Sequence, residues 1–173
     1  FLNTNQSGAA GFIRELAQFD ASGTLQPAFG PQLSQGYQTV SQLAATASGQ
    51  VMVAGAFRRL NDETNSPLLA RINQDGSPDN TFKLTLQPAR SSFDESAFYE
   101  VEPVPDGRVY AGGSVQLLNG RSSFQFGRFL ADGSLDSSFV ALAEQKFSSV
   151  NSAVWRFVSL ADGRFLLWGR LQY

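Results

Sequence analysis

Two glycine-centred motifs recur along the chain at one common spacing. The first places a turn glycine before a short apolar run and a second glycine six residues later. Its three copies are Ser48-Gly49-Gln50-Val51-Met52-Val53-Ala54-Gly55, Asp106-Gly107-Arg108-Val109-Tyr110-Ala111-Gly112-Gly113 and Asp162-Gly163-Arg164-Phe165-Leu166-Leu167-Trp168-Gly169. The first glycines of successive copies lie 58 and 56 residues apart. A fixed period of this size is the signature of a fold built from repeated supersecondary units.

The second motif combines a polar turn with a phenylalanine six residues after the turn glycine. Its copies are Ser22-Gly23-Thr24-Leu25-Gln26-Pro27-Ala28-Phe29, Asp75-Gly76-Ser77-Pro78-Asp79-Asn80-Thr81-Phe82 and Asp132-Gly133-Ser134-Leu135-Asp136-Ser137-Ser138-Phe139, with steps of 53 and 57 residues. Both motifs therefore share a period of about 56 residues. They predict one repeat domain over 1–173, with approximate repeats 1–56, 57–114 and 115–173.

Each repeat is predicted to fold as antiparallel hairpins, because Asp-Gly and Ser-Gly favour tight turns between strands. The first two strands of the units are expected at 37–45 and 51–57, at 97–104 and 108–115, and at 153–160 and 164–171. A third strand is expected at 68–73 and 125–130, and 12–19 aligns with it. Three or four strands per repeat are typical of one propeller blade. The predicted fold is all-β, a β-propeller-type array of about three antiparallel blades.

The repeat starts and stops inside a unit. Phe1-Leu2-Asn3 corresponds to Phe57-Arg58-Arg59, and Trp168-Gly169-Arg170-Leu171 corresponds to Ala54-Gly55-Ala56-Phe57. Two arrangements follow: a segment of a longer array, which we favour, or a ring whose first and last strands share one blade. Since propellers usually have about four to eight blades, we expect a longer or oligomer-completed propeller.

Two absences limit the chemistry of the chain, which has no cysteine and no histidine. Cysteine nucleophiles, Ser-His and Cys-His pairs, the usual zinc sites and disulfides are therefore excluded. The net charge is -2 and no basic run is present, which argues against a nucleic-acid partner. No apolar stretch is long enough to predict a transmembrane helix. We expect a chain that is not an enzyme, does not span a membrane and has no cofactor.

The Asp-Gly-Ser-x-Asp-x-x-Phe pattern, the Asp-Gly-Arg-Val-Tyr-Ala-Gly-Gly-Ser segment and the loop residues Leu118-Asn119-Gly120 together resemble the delta-60 repeat. The resemblance is strongest over 68–139. It is weaker in the first repeat, where Ala21-Ser22-Gly23-Thr24 replaces Asp-Gly-Ser and Gln26 replaces the second Asp. It implies a β-propeller-like fold without catalytic activity, found in large surface or secreted proteins of bacteria.

Two pairs of aspartates in the second motif suggest calcium as a cofactor, because hard cations prefer carboxylate oxygens. Their spacing does not match the EF-hand loop, and the first repeat has neither Asp. We therefore favour structural turns, in which each Asp accepts backbone N–H bonds. The residues assigned to such structural turns are Gly49, Gly55, Asp75, Gly76, Asp79, Gly107, Gly113, Asp132, Gly133, Asp136, Gly163 and Gly169.

Acid–base catalysis by a carboxylate pair is the one simple mechanism that the composition leaves open. Asp94, Glu95, Glu100 and Glu102 cluster in the second repeat, and Glu100 and Glu102 alternate along a predicted strand. We favour solvated surface charge over a glycosidase pair.

Exposed aromatic residues are the remaining candidates for a ligand site, as a sugar-stacking platform. Most aromatic side chains are expected in the core, because they dominate the burial of small β folds. Phe93 and Phe124 lie in predicted loops and are the candidates for exposure and binding.

These observations predict a non-catalytic structural or protein-interaction module of an extracellular or cell-surface bacterial protein. Its partners are expected to be other protein chains or further repeats of the same polypeptide. The alternative is a carbohydrate-binding module that uses exposed loop aromatics to bind a glycan, and a polysaccharide-active enzyme comes third.

Overall fold

The structure is a computed structural model, described over residues 16–30, 33–34, 39–57, 59–60, 68–86, 96–116, 123–139 and 152–171. These residues are almost all strand and turn. The strands are β1 (Leu33–Ser34), β2 (Thr39–Ala45), β3 (Val51–Ala56), β4 (Arg59–Leu60), β5 (Leu69–Ile72), β6 (Ala97–Pro103), β7 (Val109–Gln116), β8 (Ser123–Phe129), β9 (Ala153–Ser159) and β10 (Phe165–Arg170). The main strands lie within about two residues of their predicted bounds.

Three antiparallel sheets follow one another along the chain. Blade A is the sheet β2-β3-β5, blade B is β6-β7-β8, and blade C is the pair β9-β10. The short strands β1 and β4 pair separately. The prediction of an all-β fold made of consecutive antiparallel blades is confirmed.

The first motif forms the hairpin between the first two strands of each blade. Gly49, Gly107 and Gly163 end its turns with φ of 81°, 88° and 82°, a region that residues with a Cβ rarely adopt. Their N–H groups close the turns by donating to the carbonyl oxygens of the residues three positions earlier. Local turn chemistry thus determines where each hairpin reverses.

The second glycines of the motif have a different role from the one predicted. Gly55, Gly113 and Gly169 lie in strands β3, β7 and β10, not in turns, which corrects their assignment as turn residues. Each lies next to a register shift in the pairing with the first strand of its blade. A Cβ there would collide with a backbone carbonyl oxygen, that of Thr39, Ala97 or Ala153. These glycines therefore permit a close approach of two strands at a bulge.

The core lies between consecutive blades. One cluster joins blades A and B and includes Met52, Ala54, Val101 and Phe129. A second cluster joins blades B and C and includes Phe126, Val154 and Phe157. Because each sheet buries both faces only with a neighbour on each side, the blades stabilise one another in series.

A third cluster covers the opposite face of blade A. Leu16 is buried there against Val53, Phe57, Ala70 and Ile72. The segment from Leu16 to Phe19 aligns with β5 and β8. It belongs to residues 12–19, which were predicted to form a third strand. Within the described part of the chain its only β pairing is the isolated bridge between Phe19 and Leu25.

Candidate functional site

Two of the predicted calcium-ligand aspartates form ion pairs inside their blades. Oδ2 of Asp79 accepts hydrogen bonds from Nε of Arg71 at 2.7 Å and from Nε2 of Gln50 at 2.6 Å. Its Oδ1 accepts the N–H and the hydroxyl of Thr81. Burial acts to raise the pKa of Asp79, but the hydrogen bonds from Thr81, Arg71 and Gln50 outweigh it and lower this pKa to about 2. Both carboxylate oxygens are thus already used within the chain.

Blade B repeats this arrangement. Asp136 accepts from Nε of Arg128 at 2.8 Å and from both the N–H and the hydroxyl of Ser138. The guanidinium carbon lies 5.1 Å above the ring of Phe139, as that of Arg71 does above Phe82. The motif phenylalanine therefore packs against the ion pair as well as against the core.

Asp75 and Asp132 hold the turns that precede these pairs. Oδ1 of Asp75 accepts the N–H of Ser77 at 2.9 Å and its hydroxyl at 2.6 Å, and Asp132 binds Ser134 with the same distances. The serine hydroxyl and N–H bonds lower the pKa of both carboxyls. Gly76 and Gly133 complete these turns with φ of 85°. The described residues contain no group of three or more carboxylates that could hold a metal ion.

The predicted acid–base residues face the next blade. Oε2 of Glu100 accepts the backbone N–H of Phe157, and its Oε1 lies 3.7 Å from Nη1 of Arg156. Oε1 of Glu102 accepts the hydroxyl of Ser159 at 2.5 Å. The Glu100 side chain is only 15% exposed, which corrects the expectation of solvated charge. Asp94 and Glu95 lie outside the described residues.

The Glu100 contact is one copy of a recurring contact between blades. In blade A, Oε1 of Gln42 accepts the backbone N–H of Val101 in blade B. Gln42 and Glu100 both follow a bulge in the first strand of their blade. The equivalent residue of blade C is Arg156, a side chain that has only donors. Blade C therefore lacks the acceptor by which blades A and B hold the N–H of the following blade.

The predicted aromatic candidates do not form an exposed site. Phe93 lies outside the described residues. Phe124 lies in β8, is 4% exposed and packs against Phe98 and Phe129, which corrects the prediction that it is exposed. Its burial removes the basis on which it was considered a binding residue.

Two tryptophans of blade C form the exposed aromatic surface instead. Trp155 and Trp168 pack edge to face, with ring centroids 5.3 Å apart. Val158 and Leu166, which pair directly across the two strands, are exposed on the same blade. We call these four residues, Trp155, Val158, Leu166 and Trp168, the outer face of blade C.

The outer face corresponds to positions that are covered in the other blades. Met52 and Ala54 of β3 are 0% exposed, whereas the equivalent Leu166 and Trp168 of β10 are 66% and 63% exposed. Contiguous exposed apolar residues of this kind mark interaction surfaces in soluble proteins. Blade C thus presents to solvent the face that blades A and B bury against their neighbours.

Blade C also differs from the other two blades in the pairing of its second strand among the described residues. The middle strands β3 and β7 pair on both edges, with β2 and β5 and with β6 and β8. Among the described strands, β10 pairs only with β9. Unpaired backbone groups at such an edge are a ready template for an added strand.

Sequence reasoning missed the arginines of the ion pairs and the tryptophans of blade C. Arg71 and Arg128 stand eight residues before Asp79 and Asp136, and the first repeat has Gln18 before Gln26 at this spacing. Arginine and aspartate are thus lost together, which is a signal of contact. Trp168 aligns with Ala54 and Gly112, and this change of size between copies was also visible in the sequence.

Comparison with protein families finds a match over two segments of the chain. The family model of DUF5122, a domain of unknown function described as a β-propeller, matches residues 46–82 and 105–139. Each matched segment starts in or next to the first turn of a blade and ends at the motif phenylalanine, Phe82 or Phe139. No curated protein and no solved structure matches the chain significantly. The match and the consecutive antiparallel sheets together define the fold as β-propeller-type.

No helix in the described part of the chain is long and apolar enough to cross a membrane.

Proposed function

We propose that this chain is a non-catalytic interaction module of an extracellular or cell-surface bacterial protein. The observation that carries the proposal is the outer face of blade C, where Leu166 and Trp168 are exposed on the paired strands β9 and β10. Contiguous exposed apolar side chains of this kind favour use of the face as a contact surface.

The positions of the carboxylates support a non-catalytic role. Glu100 and Glu102, the pair best placed by sequence for acid–base work, bind groups of blade C across the blade interface. Asp79 and Asp136 are bound by arginines within their own blades. These four side chains use their oxygens to hold the frame together. The extracellular or surface location follows from the resemblance to the delta-60 repeat.

A photo-crosslinking experiment tests this function. A benzophenone amino acid at position 168 is expected to give a discrete protein adduct on cells that produce the protein. The matched control carries it at Leu130, an exposed apolar residue in the turn after β8. A surface that is used for protein contacts gives an adduct at 168 and none at 130. No protein adduct at 168, or the same adducts at both positions, would rule the proposal out.

Carbohydrate binding is the second candidate, and the Trp155–Trp168 pair is the observation that favours it. Exposed tryptophan rings offer flat apolar faces for stacking, and their N–H groups offer hydrogen bonds. On a glycan array, Trp168→Ala and Trp155→Ala should each weaken binding about tenfold or more, which corresponds to roughly 1.4 kcal/mol. Binding that is unchanged in both variants would exclude this surface as the glycan site.

A further inference from the structure

We propose that Asp106-Gly107, in the turn between β6 and β7, is a site of isoaspartate formation in the folded chain, and that segment 83–86 protects Asp132-Gly133 from the same modification. Asp-Gly sequences are especially prone to this reaction, because glycine has no side chain to hinder attack by its backbone nitrogen. They occur at 75–76, 106–107, 132–133 and 162–163. The two in blade B allow a direct comparison, because this blade has a neighbouring blade on each side.

The modification is an intramolecular reaction followed by hydrolysis. The backbone nitrogen of the glycine attacks Cγ of the preceding aspartate, a C–N bond forms, and the side-chain hydroxyl leaves with the amide proton as water. The resulting succinimide adds water at one of its carbonyl carbons. When the bond between the main-chain carbonyl and the nitrogen breaks, the chain continues through the side chain and the residue is isoaspartate. The attack requires local rotation of the Asp-Gly peptide, so contacts that hold this peptide slow it.

The Asp132-Gly133 peptide is held by a second segment of the chain. The carbonyl oxygen of Asp132 accepts the N–H of Lys83 at 2.8 Å, and that of Gly133 accepts the N–H of Thr85 at 3.2 Å. Oγ1 of Thr85 accepts the N–H of Leu135 at 3.1 Å. Gly133 is buried, and a Cβ on it would lie 2.5 Å from the carbonyl oxygen of Lys83. Rotation of this peptide would break these bonds.

Segment 83–86 is itself anchored in the core. Leu86 is 7% exposed and belongs to the cluster that joins blades A and B, and Leu84 packs against the same cluster. The protection of Asp132-Gly133 therefore lasts as long as these two blades stay packed together.

The Asp106-Gly107 peptide has no such cover. The N–H of Gly107 donates to the carbonyl oxygen of Val104 at 3.0 Å, within the same turn. In the described part of the chain, no other segment makes a backbone hydrogen bond to this peptide. Asp106 is exposed, and a Cβ on Gly107 would meet only a side-chain atom, Cβ of Ala131, at 3.2 Å. Rotation here breaks contacts of one turn only.

The carboxyl groups of the two aspartates do not explain a difference in rate. Asp106 accepts the N–H of Arg108 at 3.1 Å and its Nε at 2.8 Å, whereas Asp132 accepts the hydroxyl and the N–H of Ser134. The side-chain bonds from Arg108 and Ser134 lower the pKa of their respective carboxyls. Both groups are thus ionised and bound within their turns. The backbone contacts of segment 83–86 distinguish the two sites.

Peptide mapping of the whole chain after incubation in mildly acidic buffer tests the proposal. Trypsin places the two sites on separate peptides, 91–108 and 129–146, and electron-transfer fragmentation distinguishes isoaspartate from aspartate. We expect isoaspartate to form at least about tenfold faster at 106 than at 132, a ratio that corresponds to about 1.4 kcal/mol. In denaturant the two rates should become equal. No isoaspartate at 106, equal rates in the folded chain, or a difference that persists in denaturant would overturn the proposal.

Thr85→Pro tests the protecting segment, because proline has neither the N–H that Gly133 accepts nor the hydroxyl that Leu135 contacts. The rate at 132 should rise about tenfold, since two hydrogen bonds are lost, while the rate at 106 stays the same. Thr85→Val is the matched control, because it keeps the N–H and should raise the rate at 132 less. An unchanged rate at 132 in Thr85→Pro, or an equal increase at 106, would overturn the protective role of segment 83–86.

Discussion

Nε of Arg71 lies 2.7 Å from Oδ2 of Asp79, and the guanidinium carbon lies 5.1 Å above the ring of Phe82. The pair connects β5 to the turn that follows it. In the first repeat both partners are glutamines, Gln18 and Gln26, and Gln26 instead donates to Asp20. The ion pair is therefore one of two ways in which the repeat closes this turn.

The first prediction concerns the coupling within this pair. Asp79→Asn should lower the free energy of unfolding by about 1–3 kcal/mol, because it leaves a partly buried arginine without its carboxylate. The double variant Arg71→Gln/Asp79→Gln, which copies Gln18 and Gln26, should lose less than the sum of its single variants. Denaturant unfolding of the four chains measures this. Additive losses would mean that the two residues act independently.

The acid dependence of stability tests the same carboxylate. The pKa of Asp79 is lowered from 3.8 to about 2 in the folded chain. Because the folded value is depressed, its stabilisation is complete above about pH 4 and is lost as the pH falls toward about 2. The difference in unfolding free energy between wild type and Asp79→Asn should shrink over this range. A difference that stays constant from pH 5 to pH 2 would contradict the lowered pKa.

Glycine at the bulges should tolerate substitution less well than glycine in an open turn. Gly113→Ala places a Cβ against the carbonyl oxygen of Ala97, and relieving this clash should cost about 2–3 kcal/mol. In Gly163→Ala no atom lies within 4 Å of the new Cβ. Only the positive φ then lowers the free energy of unfolding, by about 1–2 kcal/mol. Thermal unfolding of the two variants compares them. Equal losses would show that the strands at the bulge can move apart.

Glu100 is predicted to act as a hydrogen-bond acceptor between blades and not as a catalytic acid or base. Glu100→Gln retains an oxygen for the N–H of Phe157, as Gln42 provides one for Val101, and should cost less than about 1 kcal/mol. Glu100→Ala leaves that N–H without its partner and should cost about 1–3 kcal/mol. Chemical unfolding measures both. Turnover of a polysaccharide that is lost in the Gln variant would refute the structural role.

The hairpins could be predicted because their causes are local. A glycine with positive φ determines where each chain reversal lies, and the apolar runs beside Gly49, Gly107 and Gly163 are short enough to be only strands. The roles of Gly55, Gly113 and Gly169 were not predictable in this way. They depend on a bulge, which appears only when two strands are paired.

The contacts between blades could not be predicted from the sequence for a related reason. Whether Glu100 is solvated or bound to Phe157 depends on which sheet faces meet, and strands that are apolar on both faces do not reveal this. Phe124 was placed in a loop because the third strand was predicted to begin at Gln125, whereas β8 begins at Ser123. The exposure of Trp168 becomes evident only once Ala54 and Gly112 are seen to be covered.

Hydrogen exchange at Leu167 is the most direct test of the central claim, that blade C offers a binding surface beside β10, whose outer edge has no partner among the described strands. The N–H of Leu167 should point to this edge, as that of Val53 points to β5, whereas the N–H of Leu166 is directed to β9. At low protein concentration Leu167 should exchange much faster than Val53 and Ala111. When the protein that crosslinks to position 168 is added, exchange at Leu167 should slow while that of Leu166 stays unchanged. A Leu167 amide that is as protected as that of Val53 in the chain alone, or one whose exchange is unchanged when the crosslinked protein is added, would contradict the account.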